Sequence, residues 1–112
     1  MAAADIQECR EFLRSLNINN NDIQLIKGDV KETIRNFGDK DISILRVDCD
    51  WYEESKVTLE TLYPRIALGG LVILDDYGHH TGQRRAADEY FSNIPIKFTH
   101  VDYSCVTIVK TE

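Results

Sequence analysis

Four aspartates stand at the ends of two apolar runs. Asp48 and Asp50 follow Ile42–Val47, and Asp75 and Asp76 follow Leu71–Leu74. Each run reads as a buried strand that stops on carboxylates. In open α/β sheets, ligands bind outside the carboxyl ends of the strands. Four carboxylates converging there repel one another unless a cation or protons intervene. A hard divalent ion such as magnesium takes oxygen ligands of this kind. The pattern therefore predicts an oxygen-rich metal site at the top of a parallel sheet. Adjacent side chains on a strand point to opposite faces. Asp75 and Asp76 can share an ion only where the strand turns, and Tyr77-Gly78 supplies that turn. The plain alternative is a solvated strand end with helix-capping aspartates, and for Asp50 a cap on the helix that follows.

Other reactive side chains point to less chemistry. Cys49 lies between two aspartates, which should raise its pKa and make it a poor nucleophile. Cys9, Cys49 and Cys105 are widely spaced, odd in number and without a CxxC, so neither a zinc ribbon nor a disulfide framework is expected. Reduced thiols in a cytoplasmic protein are the simple reading. Tyr77-Gly78-His79-His80-Thr81 is expected to be a mobile loop over the acidic site, a lid in which His79 and His80 would touch substrate, metal or solvent. Trp51 and Tyr52 would either line a substrate pocket or pack in the core. Arg84-Arg85 near Asp88-Glu89 reads as i,i+4 ion pairing on a helix.

The elements that must position these residues follow from the apolar spacing. Ile6, Cys9, Phe12, Leu13 and Leu16 recur at helical spacing. Asn17–Asp22 reads as a turn. Ile23–Lys27 reads as a strand stopped by Gly28-Asp29. A short helix with Val30, Ile34 and Phe37 inward ends at Gly38-Asp39. After the strand to Val47, residues 53–66 are expected to be helical despite Pro64. Gly69-Gly70 should break the chain before the strand Leu71–Leu74. Thr81–Phe91 is expected to be helical with Ala86, Ala87, Tyr90 and Phe91 inward. Ile96–Val101 and Cys105–Val109 read as an antiparallel hairpin. The alternation predicts an α/β fold, a mostly parallel sheet with a C-terminal antiparallel hairpin and helices on both faces.

A length of 112 residues suits one small domain, and 43% hydrophobic with 29% charged residues is a globular balance. A net charge of −6 disfavours nucleic acid and anionic membranes as partners. No apolar run approaches the roughly 20 residues that span a bilayer. The start, Met1-Ala2-Ala3-Ala4-Asp5, lacks the basic and apolar parts of a secretory signal.

Three stretches carry a narrower resemblance. They are Leu25-Ile26-Lys27-Gly28-Asp29-Val30, then Leu45-Arg46-Val47-Asp48-Cys49-Asp50-Trp51-Tyr52-Glu53-Glu54-Ser55 with Leu62-Tyr63-Pro64, then Gly69-Gly70-Leu71-Val72-Ile73-Leu74-Asp75-Asp76-Tyr77-Gly78. Gly82, Arg84, Ala86, Ala87, Asp88 and Glu89 extend the last. Together they resemble the macrocin O-methyltransferase family, which methylates sugar hydroxyls with S-adenosylmethionine and magnesium on a class I (Rossmann-like) methyltransferase fold. The resemblance covers essentially the whole chain and is most specific from Leu45 to Asp76.

The resemblance implies metal ligands at Asp48, Asp75 and Asp76, a general base at Asp50, and donor-cofactor contacts at Gly28, Asp29 and Asp48. It implies a small-molecule hydroxyl acceptor. Relative to the family, residues 1–112 read as a single domain, the carboxyl-terminal part of the fold, lacking the first two strands and the glycine-rich turn that cradles the cofactor. Gly69-Gly70 precedes a strand and so cannot be that turn. The two absent strands would lie between the Ile23 and Ile44 strands. The sheet must then re-pair, lose its first strand, or recruit another chain through open strand edges as a homo-oligomer. A non-catalytic α/β remnant, serving metal binding or protein interaction, is the competing reading. A receiver-like phosphoacceptor is weaker, because its acidic pair belongs near the first strand.

Overall fold

The computed structural model describes residues 6–17, 23–78 and 81–111. Helix α1 spans Ile6–Ser15 and α2 spans Val30–Thr33, with a 3-10 turn over Ile34–Asn36. Strand β1 (Ile42–Val47) leads to α3 (Tyr52–Leu62) and a 3-10 turn over Tyr63–Arg65. Strand β2 (Ile66–Leu74), helix α4 (Thr81–Tyr90) and the short strands β3 (Thr99–His100) and β4 (Val106–Val109) complete the chain. The sheet order is β1-β2-β4-β3. No helix among the described residues is long and apolar enough to cross a membrane.

The α/β class and the antiparallel hairpin are as expected, but its first strand, expected over Ile96–Val101, is confined to Thr99–His100, and the sheet differs in other details. Ile23–Lys27 joins no strand ladder, so only β1 and β2 pair in parallel, while β2–β4 and β3–β4 are antiparallel. The expected mostly parallel sheet is reduced to one parallel pair. Among the described residues, Ile23–Lys27 pairs with no strand and β1 stands at one edge of the sheet. The α3 helix stops at Leu62 rather than residue 66, because Pro64 cannot continue it. Strand β2 then begins early and absorbs Gly69-Gly70 as an irregularity. Ile42 pairs with Ile66 and Ile44 with Leu71, so five residues of β2 span two of β1. Gly69 takes φ +85°, a left-handed conformation glycine adopts without strain.

One face of the sheet carries the core. Leu45, Val72 and Ile108 align across three strands, as do Val47, Leu74 and Val106, and all are buried with Leu59, Leu62, Ala87 and Phe91. Ile44, Leu71 and Val109 align on the opposite face, where Ile44 is 62% and Val109 51% exposed. The expected helices on both faces are thus realised on one, since α3 and α4 both pack on the buried side and no residue of α1 is buried.

Candidate active site

The parallel register of β1 and β2 sets Val47 beside Leu74, so Asp48 and Asp75 leave the sheet side by side. Arg46 lies two residues before Asp48 and shares its face. Its Nη1 is 3.6 Å from Asp48 Oδ2, and its Nε contacts Asp75 Oδ2. One guanidinium therefore answers two carboxylates, leaving a net negative charge at the strand ends. The Asp48 side chain is 59% exposed, while Asp75 and Asp76 each hold one carboxylate oxygen out of solvent. Among the described residues, no three His, Cys, Asp or Glu side chains gather closely enough to hold an ion. Asp48 and Asp75 converge on a cation, Arg46, and Asp76 is not gathered with them into a three-carboxylate cluster. The paired carboxylates have the charge and donor type a divalent ion requires.

Asp50 lies in the connection from β1 to α3. The capping position of α3 falls to Trp51, one residue after Asp50. Trp51 is 72% exposed, which removes the core-packing alternative for this side chain. Tyr52 instead bridges α3 to α4. Its hydroxyl donates to Glu89, and the Arg85 guanidinium lies 4.2 Å from its ring centroid. Arg85 also bonds Glu89 and Arg84 pairs with Asp88, the expected i,i+4 ion pairs.

Burial pushes the Cys49 thiol pKa up, with further increments from Glu54, Asp48 and Asp50. Burial likewise raises Cys105, and the Asp75 carboxylate adds to it. Both thiols are held protonated and are poor nucleophiles, as expected for Cys49.

Gly28 and Asp29 belong to the turn before α2. Gly28 has φ +141°, and a Cβ there would meet Thr33 Cγ2 at 2.7 Å. Asp29 caps α2, its Oδ1 accepting the Lys31 N–H at 3.0 Å. Lys31 ties this turn to α3 through Glu54, 3.4 Å away. A groove of about 340 Å³ runs along the free edge of β1 beyond the turn. Ile26, Val30 and Ile34 form part of one wall, and Leu45, Val47 and Asp48 part of the other. Asp48 thus faces both the Arg46 cluster and the groove.

Tyr77 is buried and its hydroxyl donates to Asp88 at 2.5 Å, while the Gly78 N–H donates to Ser104 O at 2.9 Å. The first residues of the expected mobile loop are thus anchored, Tyr77 in the core and the exposed Gly78 to Ser104. His79 and His80 lie outside the described residues. Sequence reasoning missed Gln83, which is fully buried among the bonds at the strand ends. Its signal was present, since it falls one turn before Ala86 and Ala87 on the inward face of α4.

A family model described as macrocin-O-methyltransferase (TylF) matches residues 2–110. The chain belongs to the macrocin O-methyltransferase family. It is 32% identical over 94 residues to demethyldecarbamoylnovobiocin O-methyltransferase of Streptomyces niveus, covering 84% of this chain and 36% of that protein. It is 29% identical over 75 residues to a 4'-O-methyltransferase of Streptomyces olivaceus that acts on a dimethoxy-rhamnosyl tetracenomycin, covering 67% and 29%. The solved structure of the O-methyltransferase NovP superposes with a TM-score of 0.94 at 29% identity, over 98% of this chain and 46% of that one. This macrocin-family chain therefore spans about a third of the curated relatives it matches and under half of the solved one. The apo structure of CalS11, a TDP-rhamnose 3'-O-methyltransferase, superposes with a TM-score of 0.67 at 22% identity and supports the fold alone.

Proposed function

We propose that this chain carries the acidic end of an O-methyltransferase active site, acting on a hydroxyl of a sugar-type small molecule with S-adenosylmethionine as donor. The observation that supports this reading is the parallel register by which Asp48 and Asp75 leave β1 and β2 side by side and share Arg46. Family membership supplies the reaction class, and the Streptomyces olivaceus relative acts on a rhamnosyl-bearing small molecule.

In this reading Asp50 accepts the proton of the acceptor hydroxyl as its oxygen attacks the methyl carbon. Asp48 and Asp75, the pair that shares Arg46 here, would hold a divalent cation between them. When bound, that ion lowers the pKa of the acceptor hydroxyl and orients a diol. Gly28 and Asp29 at the turn, and Asp48 across the groove, would face the donor. Trp51 beside Asp50 offers an exposed aromatic surface to the acceptor.

Efficient methyl transfer requires the donor to be held in line with the acceptor, and positioning supplies roughly 7–11 kcal/mol of such a barrier. Among the described residues the groove edge of β1 has no strand neighbour, so this chain alone is expected to bind the donor weakly and to methylate slowly. The free edge also invites pairing with another chain. A second reading, a non-catalytic binding or interaction module, draws on the apolar lining of that groove.

Calorimetry with S-adenosylmethionine, with and without magnesium, combined with a methylation assay on a sugar diol, separates the readings. Weak magnesium-dependent donor binding with slow turnover supports a partial active site. Micromolar affinity with rapid turnover overturns the expected inefficiency. Absence of both donor and metal binding, with dimerisation through β1, favours the interaction module.

A further inference from the structure

We propose that Gln83 is a positioning residue that locks the two acidic strand ends to each other. The side chain comes from the first turn of α4 and is 0% exposed. Its Oε1 accepts the Asp76 N–H at 2.9 Å. Its Nε2 donates to Val47 O at 3.2 Å and to Cys49 O at 3.1 Å. The three peptide groups involved are Val47–Asp48, Cys49–Asp50 and Asp75–Asp76. Each flanks at least one aspartate of the site, and together they account for all four.

The orientation of the amide is fixed by its partners. A backbone N–H can only donate and a carbonyl can only accept, so the flipped amide would oppose three groups at once. Both Nε2 hydrogens and the oxygen are used, as a buried amide requires. An apolar residue of similar size would take this acceptor from the Asp76 N–H and this donor from the Val47 carbonyl, and would leave Cys49 O to Ser55 Oγ.

Two neighbours allow the reach. A Cβ on Gly82 would sit 2.8 Å from both Asp50 O and Tyr52 N, so glycine lets α4 approach the β1–α3 connection closely. Ser55 Oγ, also fully buried, donates to the same Cys49 carbonyl at 3.2 Å and fixes it from α3. Backbone hydrogen bonds of the β1–β2 ladder end at Val47 and Leu74. Beyond that point Gln83 takes over the pairing of the two strands, where the carboxylates must be spaced.

The consequence for the acidic site's chemistry rests on the methyltransferase reading; the positioning itself does not. The test is backbone amide exchange and carboxyl carbon shifts by NMR in the wild type, in Gln83→Met, and in Ile66→Val, which perturbs the far end of β2. In the wild type, the Asp76 amide should be protected like the ladder amides of Val72 and Leu74. In Gln83→Met, Asp76 exchange should rise roughly tenfold or more while Val72 and Leu74 are unchanged. The side-chain signals of Asp48, Asp50 and Asp75, and the emission of Trp51, the sole tryptophan, should shift in Gln83→Met and not in Ile66→Val.

An unprotected wild-type Asp76 amide overturns the proposal, even if the variant fails to fold. So does a Gln83→Met protein that loses stability like Ile66→Val but leaves the aspartate signals in place. Manganese titration of the same samples separates the two claims. A wild type that ignores manganese defeats the metal reading alone, and manganese affinity equal in wild type and Gln83→Met defeats the positioning of the carboxylates alone.

Discussion

Phe12 on α1 and Leu74 on β2 are both large apolar side chains on regular elements, yet Phe12 is 63% exposed and Leu74 fully buried. They typify two regions. In residues 42–111, α3 and α4 press onto one face of a four-stranded sheet and form a continuous core. In residues 6–37 the helical spacing is equally regular, but Ile34 is the one buried side chain among those described. Amphipathic spacing states only that an apolar face exists. Burial needs an opposing surface, and the segment Ile23–Lys27, which should carry α1 and α2 into the sheet, joins no ladder. The acidic site lies on the well-packed side of this divide, while the turn at Gly28 and Asp29 lies on the other.

The sharpest way to break this contrast is truncation in each region. Leu74→Ala should cost about 2–5 kcal/mol, the usual range for a large core side chain, measured by denaturant unfolding. A cost no greater than that of a surface substitution would mean the core is not where it is drawn here. Gly82→Ala is expected to cost about 1–3 kcal/mol, because backbone rather than a flexible side chain occupies the space of the new methyl. It should also move the Asp76 amide signal through Gln83.

Arg46→Gln removes the guanidinium that pairs with both Asp48 and Asp75. Both pairs are partly exposed, so the loss should be about 1 kcal/mol or less at low salt and should shrink as salt is added. Manganese should restore stability in this variant more than in the wild type. An equal response in both would show that the carboxylates do not need a cation between them. Phe12→Ala should change stability by no more than about 0.5 kcal/mol. A larger loss would place α1 against a surface and erase the contrast between the regions.

The smallest effect concerns Glu89, held below its usual carboxylate range chiefly by the Tyr52 hydroxyl, with Arg85 contributing. A lowered folded pKa gives stability that is present above the unfolded carboxylate pKa and is lost as pH falls through the lower folded value. Tyr52→Phe should therefore raise the Glu89 pKa and weaken the protein slightly at neutral pH, with the difference vanishing in acid. Carboxyl NMR titration checks it, and an unchanged Glu89 midpoint would show that Arg85 alone sets the shift.

The apolar runs, their acidic ends, the helical face of α4 and the hairpin that turns between Val101 and Cys105 were legible in the sequence because each depends on local spacing or local hydrogen bonding. Asp102 Oδ1 accepts the N–H groups of Ser104 and Cys105, an arrangement that needs only neighbouring residues. The family was legible too, because the acidic blocks around Asp48–Asp50 and Asp75–Asp76 carry its most specific pattern. Tertiary structure decided what depends on distant partners. It left Ile23–Lys27 outside the sheet, since strand character is realised only by a neighbour. It drew Gly69-Gly70 into β2, because pairing with β1 and Lys110 continues through the irregularity. It set Arg46 between Asp48 and Asp75, and Gln83 across three peptide groups, through contacts that join residues up to 36 positions apart. Spacing within one element cannot encode such contacts, because they arise only when parallel register and helix packing bring separate strand ends to one place.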